Sequence, residues 1–171
     1  MLTISGASYV QHCTVRIERR VSKDPDWVTL VATELTVGVT MTTELTLLAC
    51  TLVLAIVQIM LVAQLRTAET GLQYNASARD AEAPPPRPVT ARLQRAQANL
   101  FETLPLFIGA VLIAHVAGRE GDLTLWGCWL YLLCRVVYVP LYAAGIPYVR
   151  SLVWLASMIG LGMVLAALLA G

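Results

Sequence analysis

Residues 151–170 read SLVWLASMIGLGMVLAALLA, and 152–169 contain no charged side chain. A helix needs about 20 apolar residues to cross the roughly 30 Å of bilayer hydrocarbon. This stretch is long enough, and length argues for helix where periodicity alone does not separate helix from strand. Working back from it, three more runs meet the same test: about 46–65, 96–117 and 123–144. The whole chain agrees. It has 171 residues, 57% hydrophobic and 13% charged, with a mean hydropathy of +0.68. Soluble domains carry about 25% charge. The sequence therefore predicts an all-α integral membrane protein.

The connections set the topology. Gly118-Arg119-Glu120-Gly121-Asp122 joins the second span to the third, and Gly145-Ile146-Pro147 joins the third to the fourth. Short turns make neighbours antiparallel, so the expectation is an up-and-down four-helix bundle. The first connection, 66–90, reads as a long polar loop ending in Pro84-Pro85-Pro86-Arg87-Pro88. Arg66, Arg79, Arg87, Arg92 and Arg95 lie in it or at its junction, and Arg150 follows the third turn. The second loop has only Arg119. The positive-inside rule then places loops one and three in the cytoplasm.

Residues 1–40 stand apart from 41–171. They carry Arg16, Arg19, Arg20 and Lys23 and lack the apolar core of a signal peptide. The expectation is a disordered or non-native extension, with Met41 as an alternative start, before a transmembrane domain over 41–171.

Some function classes drop out. Net charge is +1 and no basic cluster is interleaved with aromatic residues, which argues against nucleic acid. His12 and His115 are isolated, and no metal-ligand spacing is present, so no metal is expected. Cys13, Cys50, Cys128 and Cys134 form no CxxC pair and read as small packing residues.

What remains is a set of polar residues in apolar surroundings, where ionisable groups are costly and mark functional sites. Arg95, Asn99 and Glu102 are spaced i, i+4, i+7, which puts them on one helix face. Arg135, Tyr138 and Tyr142 share a stripe in the third span, and Arg150, Ser151 and Trp154 open the fourth. Antiparallel packing brings these to one end of the bundle. Arginine forks suit carboxylates, Glu102 suits an ammonium group, and tyrosines hydrogen-bond while lining an apolar wall. The matching ligand is a small zwitterion with more than one carboxylate. Simpler roles exist for several of these residues. Arg92 and Arg95 are placed to snorkel. Tyr138, Tyr142 and Trp154 fit an interfacial aromatic belt, and Gln58 fits an interhelical hydrogen bond.

The run Arg95-Ala-Gln-Ala-Asn99-Leu-Phe-Glu102-Thr-Leu-Pro105 resembles the RAxxNxxE…P signature of the MAPEG family, the membrane-associated proteins of eicosanoid and glutathione metabolism. The later Arg135-Val-Val-Tyr138, Tyr142, Gly145-Ile-Pro147 and Arg150-Ser151 fit as well. The resemblance runs from about residue 41 to the C-terminus. It implies a homotrimer of four-helix subunits with glutathione as co-substrate, bound between subunits near the cytoplasmic face. It assigns Arg95, Asn99 and Glu102 to contact with glutathione, maps its helix-three arginine and tyrosine positions onto Arg135, Tyr138 and Tyr142, and links Arg150 and Ser151 to thiolate stabilisation or substrate activation. The expectation is that Tyr138 and Tyr142 bind glutathione and that Arg135 or Arg150 stabilises the thiolate. Tyr138 stands where some eicosanoid-forming members carry histidine, Trp154 where some carry tyrosine, and Gln97 where several carry histidine. The pattern is closer to the bacterial branch that resembles microsomal glutathione transferases, which implies a bacterial inner membrane. The implied activity is a glutathione-dependent transferase or peroxidase acting on lipophilic small molecules drawn from membrane lipids. The alternative is a non-catalytic lipid-binding or scaffold protein of the same fold.

Overall fold

A computed structural model describes residues 41–170 except 79 and 81. The expectation for residues 1–40 lies outside the described residues. Five helices follow in order: α1 (Thr43–Thr70), α2 (Leu72–Ala76), α3 (Pro88–Val116), α4 (Asp122–Ala144) and α5 (Pro147–Leu169). α1, α3, α4 and α5 are each long and apolar enough to cross a membrane. The protein is an all-α, four-helix integral membrane bundle.

The helices overrun the apolar runs, because helix formation does not stop where the hydrocarbon does. α1 starts earlier because Thr42 caps it, its hydroxyl accepting the Leu45 N–H at 3.3 Å. Pro88 and Pro147 open α3 and α5, where a missing N–H costs nothing.

The connection at 66–90 corrects the loop reading. α1 continues to Thr70, the short α2 follows, and α3 has already begun at Pro88. Glu69 ties the two ends of this connection together. Its carboxylate accepts from Arg66 Nη1 at 3.1 Å, from the Arg87 backbone N–H at 3.2 Å and from the Thr90 hydroxyl. Arg87 is the N-cap residue of α3 and has no side-chain cap of its own. A carboxylate at this position complements the positive end of the helix dipole. Arg66 Nη2 also donates to the Pro84 carbonyl at 2.6 Å, which pins the proline run.

The core draws on all four long helices: Leu47 and Leu48, Phe107 and Val111, Cys128 and Tyr131, Leu161 and Val164. Phe107 and Tyr131 stack at 4.0 Å between centroids, 12° from parallel. α4 and α5 pack on each other most extensively. Gly127 and Gly160 meet there, and a Cβ on either would lie 2.7 Å from the other's carbonyl oxygen. Backbones can approach this closely only where side chains are absent, as small residues allow in membrane helix pairs. The outer surface is apolar, with Val53, Ile56, Leu106, Leu133, Leu152 and Ile159 exposed, as lipid requires.

At the end formed by the start of α1, the end of α3 and the start of α4, hydroxyls meet carboxylates. The Thr42 hydroxyl donates to Glu120 Oε1 at 2.7 Å, and His115 Nδ1 lies 3.2 Å from the same oxygen. Glu44 is buried and lies 3.0 Å from the Thr124 hydroxyl, which in turn accepts the Gly121 N–H. His115 thus belongs to a helix-end network remote from the arginine stripes.

Candidate functional site

The site builds from α3 and α4 at the opposite end. Arg135 lies about two and a half turns inside α4 and is 1% exposed. Its Nη1 donates to Asn99 Oδ1 and its Nη2 to Thr103 Oγ1, both at 2.7 Å. The guanidinium carbon is 5.2 Å from the Tyr131 ring centroid and 5.8 Å from that of Tyr138, within cation–π range. Nε has no hydrogen-bond partner among the described residues.

A second aromatic step continues the stripe. Tyr138 and Tyr142 meet edge to face at 5.3 Å, and the Arg150 guanidinium lies over the Tyr142 ring at 4.6 Å. The run Arg135–Tyr138–Tyr142–Arg150 is therefore continuous across α4 and the start of α5. Tyr138 is 7% exposed, so it is a core residue and not a belt aromatic. Trp154 is on the exposed surface, and Ser151 donates its hydroxyl to the Pro147 carbonyl at 3.2 Å.

Arg92 has a partner on the neighbouring helix. It is partly buried, and its Nη1 donates to the Ala143 carbonyl at 3.2 Å, a cation on the C-terminal end of α4. Its guanidinium occupies the space beside Gly145, where a Cβ would fall 2.7 Å from Arg92 Cζ. Gly145 also holds the left-handed conformation that ends α4, with φ at +78°. A side chain there meets two obstacles at once.

Arg95 and Glu102 are exposed on the outward side of α3, while Asn99 turns in to meet Arg135. The single chain thus joins Asn99 to Arg135 and Tyr142 to Arg150, and leaves Arg95 and Glu102 on its surface. Gln58 is buried on α1, but its Oε1 has no hydrogen-bond partner among the described residues, so the expected interhelical bond is not made by that oxygen.

Two members of the site carry no charge that the sequence would show. Thr103 is one turn beyond Asn99, and Tyr131 is one turn before Arg135. The four-residue spacing was the available signal, but a threonine and a tyrosine in an apolar run carry no charge to draw notice.

Charge is unbalanced here. Among the described residues, none of Arg92, Arg95, Arg135 and Arg150 has a carboxylate within ion-pair distance; the ion pairs found are Arg66–Glu69 and His115–Glu120. The described residues hold no group of three or more His, Cys, Asp or Glu side chains placed to bind a metal ion.

A membrane-spanning four-helix bundle with a cationic, tyrosine-lined site at one end defines the class. The chain matches the model of the MAPEG family over residues 45–170, and it belongs to that family. No curated protein and no solved structure gives a significant match to it.

Proposed function

We propose that this protein is a glutathione-dependent membrane transferase or peroxidase acting on lipophilic electrophiles. The observation that carries the reading is that Arg92, Arg135 and Arg150 have no carboxylate partner among the described residues, in an apolar setting. A buried or half-buried cation in a bilayer calls for a counter-charge. Glutathione brings two carboxylates, one ammonium group and a thiol, and family membership makes it the first candidate.

In this reading Arg150 meets the sulfur. Its guanidinium is only partly buried and stacks on Tyr142, and no hydrogen bond or ion pair occupies it among the described residues. Arg135 contributes from behind: both of its terminal nitrogens are already engaged, so it acts through its charge and through Asn99. Together they favour the thiolate over the thiol. The thiolate attacks the electrophilic carbon, a carbon–sulfur bond forms, and a leaving group or a carbanionic centre takes the electron pair. With a hydroperoxide, the thiolate attacks the terminal oxygen, an S–O bond forms as the O–O bond breaks, and the alkoxide leaves and takes a proton as the alcohol. A second glutathione thiol then displaces water from the sulfenic acid and closes the disulfide. Ser151 and Tyr142 are the nearby hydroxyl donors; Ser151 would have to release Pro147 to serve.

Arg95 and Glu102 support a homotrimer. Charged side chains facing lipid are costly, and an interface between copies would shelter them and add them to the ligand site. The electropositive end, with loops one and three, faces the cytoplasm of a bacterial inner membrane in this reading, by the arginine bias of those loops.

The test is ultraviolet difference absorbance of the detergent-solubilised protein titrated with glutathione at neutral pH. A saturable thiolate band that Arg150→Leu abolishes supports thiol activation. No band, with no heat of binding by calorimetry, moves the weight to a lipid-binding or scaffold role for the same fold.

A further inference from the structure

The geometry points to Thr103, backed by Tyr131, as the positioning residue that locks the Arg135 fork and so turns the Asn99 amide NH₂, and not its oxygen, toward the ligand. This deepens the glutathione reading and rests on it.

Donor arithmetic carries the first step. A guanidinium has only N–H donors. The Asn99 atom 2.7 Å from Arg135 Nη1 is therefore the amide oxygen, and the NH₂ is left to point elsewhere. The same logic makes Thr103 Oγ1 an acceptor from Nη2. Thr103 has one proton to give, and the Leu100 carbonyl lies 3.2 Å away on its own helix. The remaining partner, the Tyr131 phenol at 2.9 Å, then donates to Thr103. The hydroxyl is thereby saturated, with two bonds accepted and one given. Tyr131 is 0% exposed and clamped against Phe107, so the phenol has little freedom to leave.

The second step is spacing. Asn99 and Thr103 are one turn apart on the inward side of α3, and together they present two acceptors to the two ends of one planar fork. With only Asn99, the guanidinium would keep a rotational freedom that two bonds remove. Both acceptors are neutral, so the arginine's charge stays uncompensated and available to an anion.

The consequence concerns specificity. With Oδ1 committed to Arg135, Asn99 offers the ligand donors only. The ligand group that it meets is an acceptor, a carboxylate or peptide carbonyl oxygen. An ammonium group is excluded from that position and falls to Glu102.

The test uses the full chain in detergent micelles, labelled with ¹⁵N-arginine, in two parallel readouts. Arg135 is identified by the signal lost in Arg135→Lys. The native protein and Thr103→Ser are expected to show separate, slowly exchanging Nη signals for Arg135; in Thr103→Val these merge. The glutathione Kd, by calorimetry, rises about tenfold in Thr103→Val, the size of one hydrogen bond to a charged group, and returns to within about threefold in Thr103→Ser. Tyr131→Phe, which keeps the packing, retains the Nη signals with faster exchange. Asn99→Asp pairs with Arg135, presents no donor, and weakens glutathione by more than Thr103→Val. Resolved Nη signals in Thr103→Val overturn the lock, whatever glutathione does. Equal loss of affinity in Thr103→Val and Thr103→Ser also overturns it, since that is a packing effect. Absence of glutathione binding to the native protein, with the Nη pattern as expected, sinks the glutathione reading and leaves the lock standing.

Discussion

The two ends of this bundle handle buried polarity in opposite ways. Where α1 and α4 begin, the charges are carboxylates, and each has a local donor: Glu44 faces Thr124, and Glu120 takes Thr42 and His115. Where α3 and α5 begin, Glu69 neutralises Arg66 at the first connection, but Arg92, Arg135 and Arg150 meet only an amide, a hydroxyl, a carbonyl and aromatic faces among the described residues. The first arrangement closes on itself and fastens helix ends. The second holds Arg92, Arg135 and Arg150 in place with no carboxylate among the described residues to cancel their charge. A satisfied network stabilises a fold; an uncancelled charge in an apolar setting has further work for an outside anion.

Four substitutions would break or sharpen this contrast. Gly160→Val should have the largest effect, because it strikes the helix contact that both ends share. Its side chain would collide with Gly127 O and the Tyr131 backbone, costing about 3 kcal/mol or more. Thermal unfolding in detergent should fall steeply, and thiolate formation should fall with it. If the protein kept its native melting temperature, the α4–α5 approach would be wrong. Arg150→Leu should separate the ends. It is expected to lower thiolate formation by about 10²–10³-fold, typical for a group that stabilises developing charge, while the melting temperature stays put. A parallel fall in stability would mean that the arginine is structural and the contrast false.

Thr124→Val should do the reverse. It strips a hydroxyl from the buried Glu44, for about 1–3 kcal/mol of stability, and leaves the glutathione titration unchanged. A shifted titration would show that the two ends are coupled. His115→Gln should do least. Its link to Glu120 is partly exposed, and such pairs contribute about 0.2–1 kcal/mol. A loss well above that range in the same unfolding assay would promote His115 from helix-end fastener to keystone.

The sequence was most legible where hydrophobicity speaks over long windows. The four spans follow from apolar length, and Arg135 drew attention because a charge in such a run is rare. Legibility fell where the signal is a single contact. A helix-start arginine such as Arg92 carries no sign in the sequence of its partner; that Ala143 O and the space at Gly145 await it is a fact of the α3–α4 crossing. Residues 66–90 looked like open loop because proline and charge break the apolar pattern, yet Glu69 fastens that connection through side-chain bonds that hydropathy does not register. Thr103 and Tyr131 were silent for a related reason. Alone, each is a tolerable apolar-run residue, and each acquires a role only once Arg135 lies between them.

By itself, the sequence determined that this chain spans the membrane with four helices, that short turns make them antiparallel, and which family it joins. The spans depend on composition over many residues, over which burial free energy sums, and the family rests on residues at fixed spacings such as Arg95, Asn99, Glu102 and Pro105. The tertiary structure decided which polar atoms meet: that Asn99 turns its oxygen to Arg135, that Tyr138 lies inside, and that Arg95 and Glu102 stay on the outer surface. Hydrogen bonds depend on a few tenths of an ångström and on direction, and only the packing of α3 against α4 and α5 sets those.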